Sequence, residues 1–403
     1  GGSIEELAAS VVFPREGVAL HAWLPLAELG GAESGNDCWG YTSPSGRRYA
    51  LVGTSSGTAF VEVTVPGDPQ VVAVHAGPTS LWRDVKTYQH HAYAVSEGGS
   101  GIQVFDLGQI DAGVVALVNT VTSGPSTSAS HNVAIDEVSG FLYRCGGGDN
   151  GLRIYSLANP ANPTYVGQWT TRYVHDVQVV TYTSGPLAGR QIAYACSGFN
   201  GGFVETGVDA LDVTSKTNIV ALDRVTWPGA EYSHQAWLSE DRRYLYVNDE
   251  LDEGSTTATT RTYVIDALDP SNLAYLGSFT NGSPAVGHNL YVHDGLVLEA
   301  NYTSGLRVFD ANVDPLSPPE VAWFDTEPLT GAASFNSLWS NYPFFGDGLV
   351  IGSDLEKGLF VWHVGPPEVA FEFPTGVPTV AEPGGTSFAV RIVEATPGAL
   401  DAA

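Results

Sequence analysis

One short pattern recurs along the chain and constrains its fold more than any other feature. It is a β-type run of the form apolar-x-apolar-x-Asp, usually preceded by glycine and followed by a proline-bearing turn. It reads GIQVFDL from Gly101, GLRIYSL from Gly151, VDALDV from Val208, TYVIDAL from Thr262, GLRVFDA from Gly305 and GLFVWHV from Gly358. TAFVEV from Thr58 is the first copy, which makes seven. Alternation of period two suits half-buried strands. Turns such as PGDP, NPANP and DPSN follow several copies, and a further short apolar strand comes next (VVAVHA, TYVGQW, LAYLGSF, EVAWFD). Two more strands lie upstream of each copy, as in NVAIDEVSGFLYRC and QAWLSEDRRYLYVND. Each unit is therefore four strands, A to D. Residues 11–365 shared among seven units give about 51 residues each, near the roughly 40–50 of propeller blades. The expected fold is all-β, a seven-bladed β-propeller of four-stranded blades occupying residues 1–365.

The seventh copy ends at Val364 without a fourth strand of its own. The N-terminal run GVALHAWLPL is expected to supply it, pairing last with first and leaving no open edge between blades. Only IEELAA and LPLAELG look helical, and both are short. Residues 366–403 differ in texture, with the β-like runs VAFEF and SFAVRI between Pro/Gly turns. They read as a linker and the start of a C-terminal β module or anchoring region.

Composition removes several functional classes. The chain has 403 residues, 44 acidic against 17 basic side chains, and a formal charge of −27. With only Lys86, Lys216 and Lys357 as lysines, it is unsuited to nucleic acid or anionic membranes, whose phosphates need cations. No run of eighteen apolar residues exists to span a membrane. Methionine is absent, so a mature, processed chain is expected, with its signal segment outside this numbering. Cys38, Cys145 and Cys196 are odd in number. Cys145 and Cys196 each follow a tyrosine by two residues, so either a disulfide between neighbouring units or three buried thiols fits.

Aligning the starts of the A strands gives the main chemical signal. The first aligned position holds Asn36, Arg83, His131, His175, His234 and His288, and the next holds Asp37, Asp84, Asn132, Asp176, Gln235 and Asn289. In the seventh unit Ser340-Asn341 is preferred to Phe335-Asn336, because Ser340 to Ser353 repeats the thirteen-residue step from His288 to Asn301. The innermost strand of each blade runs beside the central channel, so equivalent positions form a ring. His131, His175, His234 and His288 are thereby candidate metal ligands, since neutral imidazole binds zinc, copper, iron and nickel. The B–C loops share that mouth and carry Glu97, Asp149, the run Asn248–Glu253 and Asp354 with Glu356. Glu97, Asp249 and Glu250, with Arg83 and Asp84, are the further candidate binding residues. A divalent cation is the expected cofactor, with calcium, zinc and manganese not separated by sequence. The alternative for the four histidines is a structural hydrogen-bonded ring, and the Asp/Asn/Gln position beside them suits such a role. NDELDE lacks EF-hand spacing and reads as a solvated loop. Tyr88, His90 and His91 fall towards the opposite face. No nucleophile elbow is read, since GTSSG from Gly53 has the GxSxG spelling but leads into the β-type run TAFVEV, and HExxH and paired CxxC motifs are absent from the sequence.

The motifs GNDCWGYTSPSGRRYALVGTSSGTAFVEV, LWRDVK, SHNVAIDE, SHQAWLSEDRRYLYVNDELDE, GHNLYV, ANYTSGLRVFD and SNYPFF…SDLEKGLFVW resemble the choice-of-anchor B family, and the strand-C runs resemble LVIVD repeats. The likeness extends from about residue 17 to 364. It implies an exported bacterial protein, secreted or displayed at the cell surface, and brings no agreed catalytic activity. The leading expectation is a propeller binding or scaffold module with a divalent cation at the axial mouth. Its partner would be an extracellular ligand, a surface protein or further copies of itself. A metal-dependent lyase or hydrolase, with Arg83 clamping a substrate carboxylate, is the first alternative. A surface-layer or filament subunit is the second.

Overall fold

The computed structural model describes residues 13–124, 128–202 and 206–365, together with the backbone of two short strands further on. Seven antiparallel sheets follow one another along the chain. Blades 1 to 5 are Gly35–Ala76, Arg83–Val121, Asn132–Trp169, Asp176–Val225 and Ser233–Phe279, each of four strands in sequence order. Blade 6 spans Asn289–Phe324 and gains a fifth strand, Arg15–Glu16, which pairs with Trp323 and Phe324. Blade 7 takes strands A to C from Leu338–Val364 and its outer strand from Val18–Leu24, in the register Val18 to Val364 and Leu24 to Leu359. The expected closure by the N-terminal run is thus the observed one. This is a seven-bladed β-propeller.

Each part of the recurring motif has a physical reason. Its terminal aspartate turns the chain out of strand C: Asp106, Asp212, Asp266 and Asp310 each accept a hydrogen bond from the backbone N–H two residues on. Its leading glycine passes under the end of strand D. A Cβ at Gly151 (φ 75°) would stand 1.6 Å from the Trp169 carbonyl oxygen. The apolar positions alternate between the two faces of each sheet, so the core consists of seven layers, one at every blade interface. Tyr143, Ile154 and Cys145 of blade 3, for example, pack on Val177, Ala193 and Ala195 of blade 4.

Some expectations are corrected. LPLAELG forms successive turns, with Leu29 N–H donating to the Leu26 carbonyl at 3.0 Å, because Pro25 and Gly30 bracket a segment too short to propagate a helix. The helical segments among the described residues are two single 3-10 turns, Ile110–Ala112 and Asn200–Gly202. Cys38, Cys145 and Cys196 are buried free thiols, and the Cys145 Sγ–H points at the His175 carbonyl, 3.3 Å away. IEELAA lies outside the described residues, as does most of the 366–403 extension. Within the latter, Val369–Glu372 and Arg391–Glu394 pair antiparallel.

Candidate metal centre at one axial mouth

The D–A loops bring four histidines together where the A strands begin. Ring centroids lie 4.3 Å apart for His131 and His175, 4.0 Å for His175 and His234, and 4.3 Å for His234 and His288. The arc follows the blades. His175 Nδ1 is 3.0 Å from the His234 carbonyl oxygen, His234 Nδ1 is 3.1 Å from that of His288, and His288 Nδ1 is 2.6 Å from that of Trp339. His131 Nδ1 instead meets Glu97 Oε1 at 2.7 Å. Carbonyl and carboxylate oxygens only accept, so every Nδ1 carries the hydrogen and donates it. Burial, reinforced by the neighbouring histidines, holds His175 and His234 well below the usual imidazole pKa. Burial takes His288 down to about 3. These three rings are therefore neutral, and each presents its Nε2 lone pair.

Two of those lone pairs face one carboxylate. Glu250 follows strand B of blade 5, Tyr244–Asp249. Its Oε2 is 3.7 Å from His234 Nε2 and its Oε1 is 3.7 Å from His288 Nε2. These separations are too long for hydrogen bonds. The ligand atoms of the three residues all lie within 4.8 Å of one another. His288 Nε2 is buried with no hydrogen-bond partner. The Tyr302 hydroxyl donates to Glu250 Oε1 at 2.8 Å, and its ring lies 4.3 Å from that of His288. Burial pushes the Glu250 carboxyl up to about 7. Neutral nitrogens converging on a half-buried carboxylate are a donor set for a cation.

The remaining expected residues divide. Glu97 joins the mouth as the acceptor for His131. Asp249 does not: its carboxylate accepts from the backbone N–H of Glu231 at 2.8 Å and of Tyr232 at 2.7 Å, and from the Trp227 indole at 3.1 Å. Arg83 is 1% exposed, and its guanidinium donates to the carbonyls of Thr54 and Pro78 and to Gln103. It offers no fork to an axial carboxylate, so the lyase alternative lacks its clamp. Asp84 sits on the other side of strand A, accepting from Val133 N–H of the next blade at 2.8 Å and from Lys86 Nζ at 2.5 Å. Gln235 makes the same inter-blade link to Leu290 N–H at 2.6 Å. The NDELDE run is folded inward rather than solvated, with Asn248, Asp249 and Asp252 fully buried. Asp252 accepts from the Tyr263 hydroxyl and Glu253 from Gly287 N–H.

In blade 7 the ring position belongs to Trp339, one residue before the expected Ser340. A bulge between Leu338 and Ser340 shifts the register there. The Trp339 carbonyl accepts from Asn289 Nδ2 as the His175 carbonyl does from Asn132 Nδ2. Sequence reasoning missed Tyr302 and Trp339. Tyr302 lies two residues past a strand B and Trp339 near the start of a strand A, with nothing in either run to mark them as axial. A second acidic group with histidine, Glu240, His293 and Asp294, lies on the opposite face. There the Glu240 carboxylate is already occupied by the N–H groups of Asp294 and Gly295.

No family model matches the chain, and no curated protein matches it. Among solved structures it is similar to the Cps50 (Swd1) β-propeller domain of Myceliophteria thermophila, with 11% identity, a TM-score of 0.58, and 88% of this chain and 100% of that one covered. It is also similar to Kuenenia stuttgartiensis hydrazine synthase, with 12% identity, a TM-score of 0.57, and coverage of 80% and 94%. A protein from Lactobacillus plantarum gives 13%, 0.56, and coverage of 75% and 86%. At such identities the likeness shows the β-propeller fold alone.

Proposed function

We propose that the protein is a secreted or surface-displayed propeller binding module of the choice-of-anchor B kind, holding a divalent transition metal at one axial mouth. His234 Nε2, His288 Nε2 and the Glu250 carboxylate are the ligands. The observation that carries this reading is the pair of locked Nε2 lone pairs, each 3.7 Å from a different oxygen of Glu250. Tetrahedral zinc, with bonds of about 2.0–2.2 Å, sets its ligands about 3.4 Å apart, so a small inward movement closes the site. Histidines that ligate zinc characteristically donate their other N–H to a carbonyl or carboxylate, as all four rings do here. Tyr302 orients the carboxylate in the same manner. Two nitrogen donors favour zinc over calcium, which takes oxygen ligands. Three protein ligands leave a coordination position for water or an external ligand. The export assignment is supported by the family resemblance of the motifs.

The test is calorimetric titration of chelator-stripped protein with zinc and with calcium, checked by elemental analysis. One zinc per chain and no calcium is the expected result. Glu250→Gln keeps the acceptor for Tyr302 and removes the charge, so its fold is spared and its zinc affinity should fall about 100-fold. Wild-type protein that takes up no zinc overturns the reading, as does a Glu250→Gln variant that binds it equally well.

A further inference from the structure

The fourth register position of the A strands, three residues beyond the histidine ring, lines the other end of the channel. It carries Trp39, Lys86, Ala134, Gln178, Trp237, Tyr291 and Tyr342. A cavity of about 610 Å³ opens there, within the range of small-ligand sites. Its wall is aromatic: Trp237 and Tyr291 have ring centroids 4.9 Å apart, Trp39 and Tyr342 also 4.9 Å, and Phe344 lies 5.6 Å from Tyr291. Its charge is negative, since Asp136, Glu137 and Asp176 line it against the single ammonium of Lys86.

The floor already holds one ammonium group. Lys86 Nζ lies 2.5 Å from Asp84 Oδ1, 3.9 Å from Asp37 Oδ2 and 4.6 Å from the centroid of the Trp39 ring. Burial opposes that charge, and Asp37 and Asp84 more than compensate, so Lys86 keeps its proton. Beside it stands a second set of the same chemistry, Asp176 and Tyr291, which feels the charge of Lys86 at longer range, while Lys86 Nζ is hydrogen-bonded to Asp84. Asp176 is the one acidic residue at the second register position that is not fully buried. Its carboxylate meets the Val177 N–H at 2.6 Å and the Gln235 amide. Tyr291 is wholly buried, and its hydroxyl has no hydrogen-bond partner although it stands among Lys86, Asp37, Asp84 and Asp176. An ammonium ligand would donate to both Asp176 and the Tyr291 oxygen while its carbon chain lay against the rings, which also attract cations through their faces. A carboxylate ligand would instead face the three acidic side chains.

We infer that this cavity is a second binding site, at the opposite mouth from the histidines, and that its ligand is a small aliphatic amine in its protonated form. Asp176 and Tyr291 receive the ammonium hydrogens, and Trp237, Tyr342 and Phe344 enclose the chain.

The test uses the full chain, stripped of metal so that the outcome is independent of the histidine mouth. Tryptophan fluorescence is followed during titration with putrescine, with glucose and sodium acetate as neutral and anionic controls. Saturable quenching by putrescine alone is expected, weakening as salt is raised. Asp176→Asn should weaken binding about tenfold, and Tyr291→Phe by a smaller factor. Circular dichroism melts identify any variant that fails to fold. If Asp176→Asn does, Tyr291→Phe, which removes one buried oxygen, carries the test. No saturable quenching at millimolar putrescine overturns the inference. So does equal binding of acetate or glucose, or a folded variant pair with undiminished affinity.

Discussion

At the scale of single residues, burial decides which acids and bases carry charge, and only part of that could be read in advance. Four histidines at one aligned position are visible because an axial ring needs the same register in successive blades. That Glu250 rather than Asp249 reaches the axis is not visible, since adjacent side chains at a strand end differ only in the phase of the alternation. A bulge between Ser233 and Gln235 resets that phase in blade 5. The same blindness hides Glu299. It is 1% exposed on strand B of blade 6, accepting from the Thr262 hydroxyl of blade 5 and from Asn301 Nδ2 at 2.7 Å. Burial lifts its carboxyl to about 7 from the ordinary 4.5. The folded state therefore binds this proton more tightly than the unfolded chain does. Its stabilising effect is full below the unfolded pKa and is lost as pH rises through 7. Glutamine reproduces the protonated form, its NH2 donating to Thr262 and its carbonyl accepting from Asn301. Glu299→Gln should match the wild type near pH 5. At pH 8 it should be more stable, by on the order of 2–3 kcal/mol at about 1.4 kcal/mol per pKa unit. Thermal melts at the two pH values check it, and an unchanged difference between them contradicts the assignment.

At the scale of elements, the strand-C pattern was legible because each of its symbols answers a local need. The aspartate makes a side-chain-to-backbone turn and the apolar residues feed two interfaces. The glycine clears a carbonyl. Six of the seven copies have it, and blade 5 has Arg261 in its place. What failed was the register of blade 7. Counting thirteen residues between strands assumes an unbulged hairpin, and the Leu338/Ser340 bulge breaks that assumption. Close approach and backbone conformation can be separated by experiment. Gly151 and Gly185 share a φ of 75°, but only Gly151 would place a Cβ against backbone, and Gly185 has nothing within 4 Å. Gly185→Ala should therefore cost only the left-handed penalty of about 1 kcal/mol. Gly151→Ala should cost at least about 2 kcal/mol more, because the end of the C–D pairing in blade 3 must shift. Urea midpoints of the two variants measure the difference, and equal losses would show that φ alone explains the conserved spacing of the motif along the chain.

At the scale of the whole molecule, the ring stands or falls on one seam, and the sequence exposes it because the seventh unit is a strand short. Val18–Leu24 fills the vacancy. The Trp23 ring stacks on Phe360 at 5.9 Å and 7°, and its indole N–H donates to the Lys357 carbonyl at 2.7 Å. Phe13 bridges to blade 6, with ring centroids 5.5 Å from Phe324 and 5.4 Å from Phe360. The N-terminal segment thus ties blades 6 and 7 together as well as closing the sheet. A chain lacking residues 1–24 would leave Gly358–Val364 as a bare edge beside Phe360 and Trp362, a template for pairing with other chains. Several aromatic contacts and a strand's hydrogen bonds amount to several kcal/mol. At the usual few degrees per kcal/mol for a chain of this size, the melting temperature should fall by roughly 10 °C. Higher oligomers should appear on gel filtration. A synthetic peptide covering residues 13–24 should restore much of the loss in trans, because what it restores is an edge pairing and not a covalent link. A truncated chain that melts with the wild type, and elutes with it on gel filtration, would show that the ring is held by its seven interior layers and not by this seam.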